Sequence, residues 1–308
     1  MDKKNFAIIE SHIIKIFRRG KTFIYRGEKY KIINSGKPRP DGVNGECKTD
    51  LYILAEKNNG SLKEFKISIK KSNADFVENK VKLKRAIEIF GENAQSIIKK
   101  STQILKKDLK DNNLIYFKKS GQTKEHSITL GWRLDFVNKS NSKKCTKISL
   151  TDSQKIDIYA GTNLCVEKKN SKVNDEIIEN SGIANFIINL NESIDDRNNI
   201  NYYISKILPI EEFAKKQEIY FACRAVNLRY EGNGEIEWES NRDLVVYIKW
   251  RLDINNTLKY RLTFNEPLYI TSNIVGENLK RLLSQLNINK NNFSDLKNSL
   301  DNRIKYLI

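Results

Sequence analysis

GECKTDLYILAEKNNGSLKEFKISIKK, residues 45 to 71, alternates apolar and polar side chains on both sides of an Asn-Asn-Gly turn. Leu51, Ile53 and Ala55 share one parity in the first half, and Phe65, Ile67 and Ile69 share it in the second. Side chains two apart on a strand point to the same face, so these six residues define the buried side of a β-hairpin. Asn58, Asn59 and Gly60 supply its turn, being the residues that tolerate positive φ. The other parity carries Lys48, Asp50, Tyr52 and Leu54, with Glu46 at the entrance, then Glu64, Lys66, Ser68 and Lys70. Solvent alone produces such a polar face on an antiparallel sheet. The turn also sets the register. Centred on Asn59-Gly60, it places Asp50 opposite residue 68 or 69, and Glu64 opposite residue 54 or 55.

Working outward, residues 4 to 18 read as an amphipathic helix with Ile9, Ile13, Ile16 and Phe17 on one side, closed by Gly20. Residues 21 to 33 form two strands around a glycine turn, and residues 34 to 45 a loop with Pro38 and Pro40. After the hairpin, Ser72 and Asp75 make a capping box for a helix that buries Phe76, Leu83, Ile87 and Phe90. A second helix follows Gly91 and runs to about Lys110. Residues 113 to 119 and 127 to 137 are strands, so the order from residue 4 to about 137 is helix, strand, strand, strand, helix, strand.

Beyond that point, residues 147 to 160 (KISLTDSQKIDIYA) and 218 to 240 also read as strands. Residues 243 to 266 read as a strong hairpin with an Asn-rich turn, and two short amphipathic helices close the chain. The tetrapeptide Trp-Arg-Leu-Asp occurs at 132–135 and again at 250–253. Two similar scaffold hairpins account for it. A duplicated element with Arg133 and Arg251 on the polar face, touching DNA phosphates or bases, accounts for it as well. The expected division is a core over residues 1–140 and a strand-rich region with C-terminal helices over 141–308.

Composition narrows the function. The chain has 308 residues and 39% hydrophobic content, enough for a packed core. No apolar run could span a bilayer, and the N-terminus reads as an amphipathic helix rather than a signal peptide. Lysine and arginine exceed the acids by 17, partly through a Lys-, Asn- and Ile-rich bias of the kind AT-rich coding produces. The excess still favours a polyanionic partner, most simply nucleic acid, over a membrane surface. Four scattered cysteines without a CxxC pair, and two histidines, argue against structural zinc and histidine-based catalysis. Reduced thiols and a cytoplasmic location are the expectation. The sequence RRGKT at 18–22 has the tail of a P-loop, but Lys15 stands where the leading glycine belongs and a helix precedes it, so no nucleotide cofactor is expected.

The element order of the first 140 residues, with an acid on one strand and acid-x-lysine on the next, resembles the PD-(D/E)xK nuclease superfamily, in particular type II restriction endonucleases. That resemblance implies an α/β fold with a mixed sheet and an αβββαβ core. It implies acids holding Mg2+, or Mn2+ in its place, beside a scissile phosphate, and a lysine that orients and helps deprotonate the attacking water. Double-stranded DNA would be the substrate, and palindromic cutting would favour a homodimer.

Two registers compete for the motif. Glu64-Phe65-Lys66 satisfies it literally, but Glu64 would stand about four residues from Asp50, roughly 13 Å along the strand, and one ion does not bridge that. Ser68-Ile69-Lys70 lies opposite Asp50. Several restriction enzymes resemble this, with Ser or Gln at the acid position and an acid recruited from elsewhere. Asp50 is then the metal ligand and Lys70 the water-activating lysine, beside Ser68. Glu46 shares Asp50's parity, and Glu10 lies on the first helix, where many relatives carry an auxiliary glutamate. Either would complete the metal shell. Lys48 and Lys71, with Arg133 and Arg251, are the expected DNA contacts. The rival readings are a DNA- or RNA-binding protein without chemistry, and a structure-specific repair or phage nuclease.

Overall fold

The computed structural model describes residues 3–71, 76–140, 142–190, 199–231, 235–238 and 241–308. It is mixed α/β and divides into two compact units, each built from two stretches of chain. One comprises Met1–Asp75 and Leu150–Gln217, the other Phe76–Ser149 and Glu218–Ile308. The break expected near residue 140 therefore falls inside the second unit, whose first stretch interrupts the first unit in sequence.

The first unit contains α1 (Lys3–Ile16), β1 (Thr22–Tyr25), β2 (Glu28–Gly36), β3 (Leu51–Lys57), β4 (Leu62–Lys71), α2 (Asp152–Ala160), β5 (Phe186–Leu190) and β6 (Ile207–Pro209). Its sheet runs in the order β1-β2-β3-β4-β5-β6. The first four strands form an antiparallel meander, β5 joins β4 in parallel, and β6 is antiparallel to β5. A parallel neighbour requires a crossover connection, and α2 lies on it. The six apolar hairpin residues are all fully buried, with Ile9, Ile13 and Phe17 of the N-terminal segment in the same core. Phe23, Tyr25, Tyr30, Phe65 and Phe186 fill that core with edge-to-face and stacked rings. Each such side chain contributes about 1.5–3 kcal/mol on leaving water.

Residues 147 to 160, expected as a strand, contain α2 instead. Thr151 Oγ1 accepts from Gln154 N at 3.2 Å while Thr151 N donates to Gln154 Oε1 at 3.0 Å, a complete capping box. Gly161 ends the helix at φ 80°, a left-handed position that favours glycine.

The second unit is built on a long strand, Ser127–Val137, in which every residue but Arg133 is buried. Tyr220–Tyr230 and Val246–Leu252 pair with it, both antiparallel. The expected hairpin is present, Val246–Leu252 against Leu258–Thr263, with the latter at the sheet edge. The helix expected from Ser72 starts only at Leu83. Phe76–Val81 is a strand paired with the long one, and Ser72 and Asp75 lie outside the described residues. The strand expected to close the core, 127–137, thus belongs to this other sheet. Among the described residues no helix is long and apolar enough to cross a membrane.

The Trp-Arg-Leu-Asp echo does two different jobs. In the long strand, Asp135 is fully buried and accepts from Lys80 N at 2.6 Å and from Arg133 Nε at 3.3 Å. In the hairpin, Asp253 is a turn residue that accepts from Asn255 N and Thr257 N. Ile254, which the alternation Trp250, Leu252, Ile254 would carry to the buried face, is 99% exposed at that turn.

Candidate active site

The acid-and-lysine face of the β3–β4 hairpin follows the register that its turn implied. Leu51 pairs with Ile67 and Leu54 with Glu64, and Asp50 N donates to Ile67 O at 2.9 Å. Asp50 therefore stands one step outside β3, opposite Ser68. The loop leading to it is pinned from the other side. Lys48 N and Thr49 N both donate to Gly182 O, at 3.0 and 3.3 Å. Gly182 has to be glycine, because a Cβ there would lie 1.9 Å from Lys168 O. Cys47, buried in the same loop, donates its thiol to Pro38 O and Thr49 O, and burial raises its pKa.

Asp50 Oδ2 accepts from Ile69 N at 2.7 Å and from the fully buried Ser68 hydroxyl at 3.3 Å. Both hydrogen bonds go to one oxygen, which fixes the carboxylate plane and leaves Oδ1 without one. Burial pushes the Asp50 pKa up. The charge of Lys70, the Ile69 N–H and the charge of Lys37 oppose that rise, while Glu10 adds to it. Lys70 follows Ser68 on the same face of β4, beside Asn189 of the parallel β5.

Lys37, the first residue after β2, is the member of this group that its sequence does not announce. It sits in a proline-rich loop and belongs to no acid-x-lysine pattern. Its ammonium pairs with Glu10 of α1 at 2.5 Å, and the Glu10 side chain is only 12% exposed. Burial would lower the Lys37 pKa, but the Glu10 hydrogen bond and the charges of Glu10, Glu46 and Asp50 outweigh it, and the net shift is upward. Lys37 thus stays cationic in the field of three carboxylates. Glu46 itself is exposed.

The literal motif is engaged elsewhere. Glu64 Oε1 accepts from Tyr52 Oη at 2.7 Å, and Glu64 pairs with Lys66 at 3.4 Å. Burial and that bond to Glu64 raise the Tyr52 pKa. Asn185 grips the same stretch of β4 through its side chain and backbone, accepting from Lys66 N at 2.7 Å and donating to Glu64 O and Lys66 O. No sequence pattern points to Asn185, because its partners lie more than a hundred residues away.

Of the expected DNA contacts, Lys71 ends β4 opposite Leu190. Lys48 packs its stem beside Gly161, where a Cβ would come within 2.7 Å of it. Arg133 is a correction: its side chain is 15% exposed and ion-paired with buried Asp135, because its strand is covered on both faces. Arg251 is exposed.

Among the described residues no three Asp, Glu, His or Cys side chains gather closely enough to hold an ion as a protein-only cage. Magnesium does not require one. It commonly takes one or two carboxylates and fills its octahedron with water and phosphate oxygens. Asp50, with its free Oδ1, meets that requirement, and the field around it already holds the Lys37 ammonium. No family model, no curated protein and no solved structure matches this chain.

Proposed function

We propose that this chain is a magnesium-dependent endonuclease that hydrolyses double-stranded DNA, a nuclease of the PD-(D/E)xK type acting as a type II restriction enzyme. The observation that carries the reading is Asp50 set opposite Ser68, with Lys70 two residues on, in the middle of a mixed sheet. What supports the reading in the first unit is α1 ahead of the antiparallel strands β1 to β4, one strand more than the αβββαβ core has, followed later in the chain by α2 and the parallel β5.

In this reading Asp50 Oδ1 would hold the ion, with Glu10 or Glu46 as the second carboxylate. When bound, the metal neutralises charge on the phosphate and lowers the pKa of a water. Ser68 and Ile69 N–H keep the Asp50 carboxylate in one orientation. Lys70 orients the attacking water and takes part in removing its proton. The new P–O bond forms in line as the bond to the leaving sugar oxygen breaks, and that oxygen takes up a proton. Cutting both strands of a palindrome calls for two copies of the site, hence a homodimer, and a cytoplasmic setting suits the free cysteines.

The test is incubation of the purified chain with long DNA and magnesium. Discrete fragments are the expected result. A smear would mean cleavage without sequence choice, and intact DNA that is nevertheless bound would mean a binding protein. Asp50→Ala and Lys70→Ala are expected to abolish cleavage and leave binding in place.

A further inference from the structure

In the second unit's edge hairpin, Lys249 stands directly opposite Arg261, and Arg251 directly opposite Lys259. Like charges at directly opposed positions destabilise a strand pair. Here two such pairs follow each other on one face, while Ile248, Trp250 and Leu258 are buried on the other. Lys249, Arg251 and Arg261 are exposed, and among the described residues none of the three pairs with a carboxylate. Lys259 alone has one, Asp253 at 2.8 Å.

Arg261 also lines a cleft of ≈ 470 Å³ along the edge strand, shared with Lys106, Lys110, Tyr260, Phe264 and Arg303. Among the described residues no carboxylate lines that cleft, and of its cations Arg303 is paired with Asp301. Successive cations on one strand face are about 7 Å apart, close to the spacing of neighbouring phosphates on an extended nucleic-acid strand.

We infer that this hairpin face, with the cleft beside it, binds the phosphate backbone of nucleic acid without reading its bases. The like-charged pairs then persist because a polyanion bridges them. A membrane surface fits less well, since binding there needs apolar area and the hairpin exposes one large apolar side chain, Ile254. The inference rests on the nuclease reading for its choice of DNA as the anion, but not on the chemistry at Asp50.

The experiment uses the full chain carrying Asp50→Ala. Binding to a short duplex is followed by fluorescence anisotropy across a salt series. A second protein adds Lys249→Gln, Arg251→Gln and Arg261→Gln. The expected result is a log–log salt slope shallower by about 2.7, three phosphate contacts at roughly 0.9 each. With DNA absent, the same three substitutions are expected to raise Tm, because they relieve the opposed charges. An unchanged slope overturns the inference. So does an equal loss of slope from Lys99→Gln with Lys100→Gln on a helix of the same unit, or binding to phosphatidylserine vesicles in place of DNA. If the wild-type chain cleaves DNA and the slope does not move, this face is refuted and the nuclease reading stands. If the slope falls and the wild type cuts nothing, the outcome is the reverse.

Discussion

Lys66 and Lys70 flank Ser68 at equal spacing, each two residues away on the same face of β4, so distance along the strand does not choose between them. Their surroundings do. Lys66 is held toward the turn by Glu64 at 3.4 Å, and Glu64 in turn is held by Tyr52. Lys70 acts on Asp50, and its charge is the largest influence opposing the effect of burial there. On the proposed mechanism Lys70 manages the attacking water, so Lys70→Ala should lower the cleavage rate about 10²–10⁴-fold. Lys66→Ala removes one partly screened ion pair, worth at most about 1 kcal/mol, and should change the rate by less than about tenfold. Glu64→Gln should behave like Lys66→Ala, since Glu64 faces Leu54, roughly 13 Å along the strand from Ser68. The assay is single-turnover cleavage of long DNA at saturating magnesium, with circular dichroism to establish that each variant folds. A greater loss from Lys66→Ala than from Lys70→Ala would refute the register and return the site to the literal motif.

Three further outcomes follow from the same geometry. Burial raises the Asp50 pKa, so the folded state holds that proton more tightly than the unfolded chain, and the ionised carboxylate costs stability above the folded pKa. Asp50→Asn should then raise Tm in metal-free buffer at pH 8. The gain should fade as the pH drops toward the ordinary carboxylate value of 3.8, and a lower Tm at pH 8 would mean that Lys70 and Lys37 attract more than burial costs. Lys37→Met removes a cation that competes for Glu10, Glu46 and Asp50, so Mn2+ should bind the DNA-free protein more tightly, as read by electron paramagnetic resonance; weaker binding would mean that Lys37 organises the carboxylates rather than competing for them. Thr151→Ala breaks the capping box of α2 and should cost about 1 kcal/mol in urea unfolding, and an unchanged midpoint would show that tertiary packing alone holds that helix.

The hairpin was legible because its information is local. Six apolar residues at period two and one Asn-Gly turn fix both the buried face and the partner of Asp50, and the structure keeps both. The crossover was not legible. Ile156 and Ile158 alternate as a strand would, and the signal that marks a helix there is the Thr151-to-Gln154 capping box, which the sequence reading did not use. The strand that pairs with β4 is β5, more than a hundred residues later, and the second unit's first stretch lies between them. Patterns of period two or 3.6 say which face is buried, not which distant strand covers it. Arg133 failed for a related reason: alternation assigned it to solvent, but the long strand is buried on both faces.

Ser68 explains why the acids of this site are spread out. The residue opposite Asp50 is fully buried, and a carboxylate there would put two like charges together out of water. A hydroxyl donates to Asp50 instead and steadies the single charge that the position tolerates. The remaining acids lie where their charge is either balanced or hydrated: Glu10 against Lys37, and Glu46 in the exposed loop. The charge of Lys70 acts on Asp50, Lys37 pairs with Glu10, and Glu46 is left over. In the proposed site a divalent cation would have to displace the Lys37 ammonium from the field of Glu10, Glu46 and Asp50. On the proposed function, the departure at Ser68 and the cation at Lys37 belong to one arrangement, in which a lysine would stand in for the charge that a metal would bring.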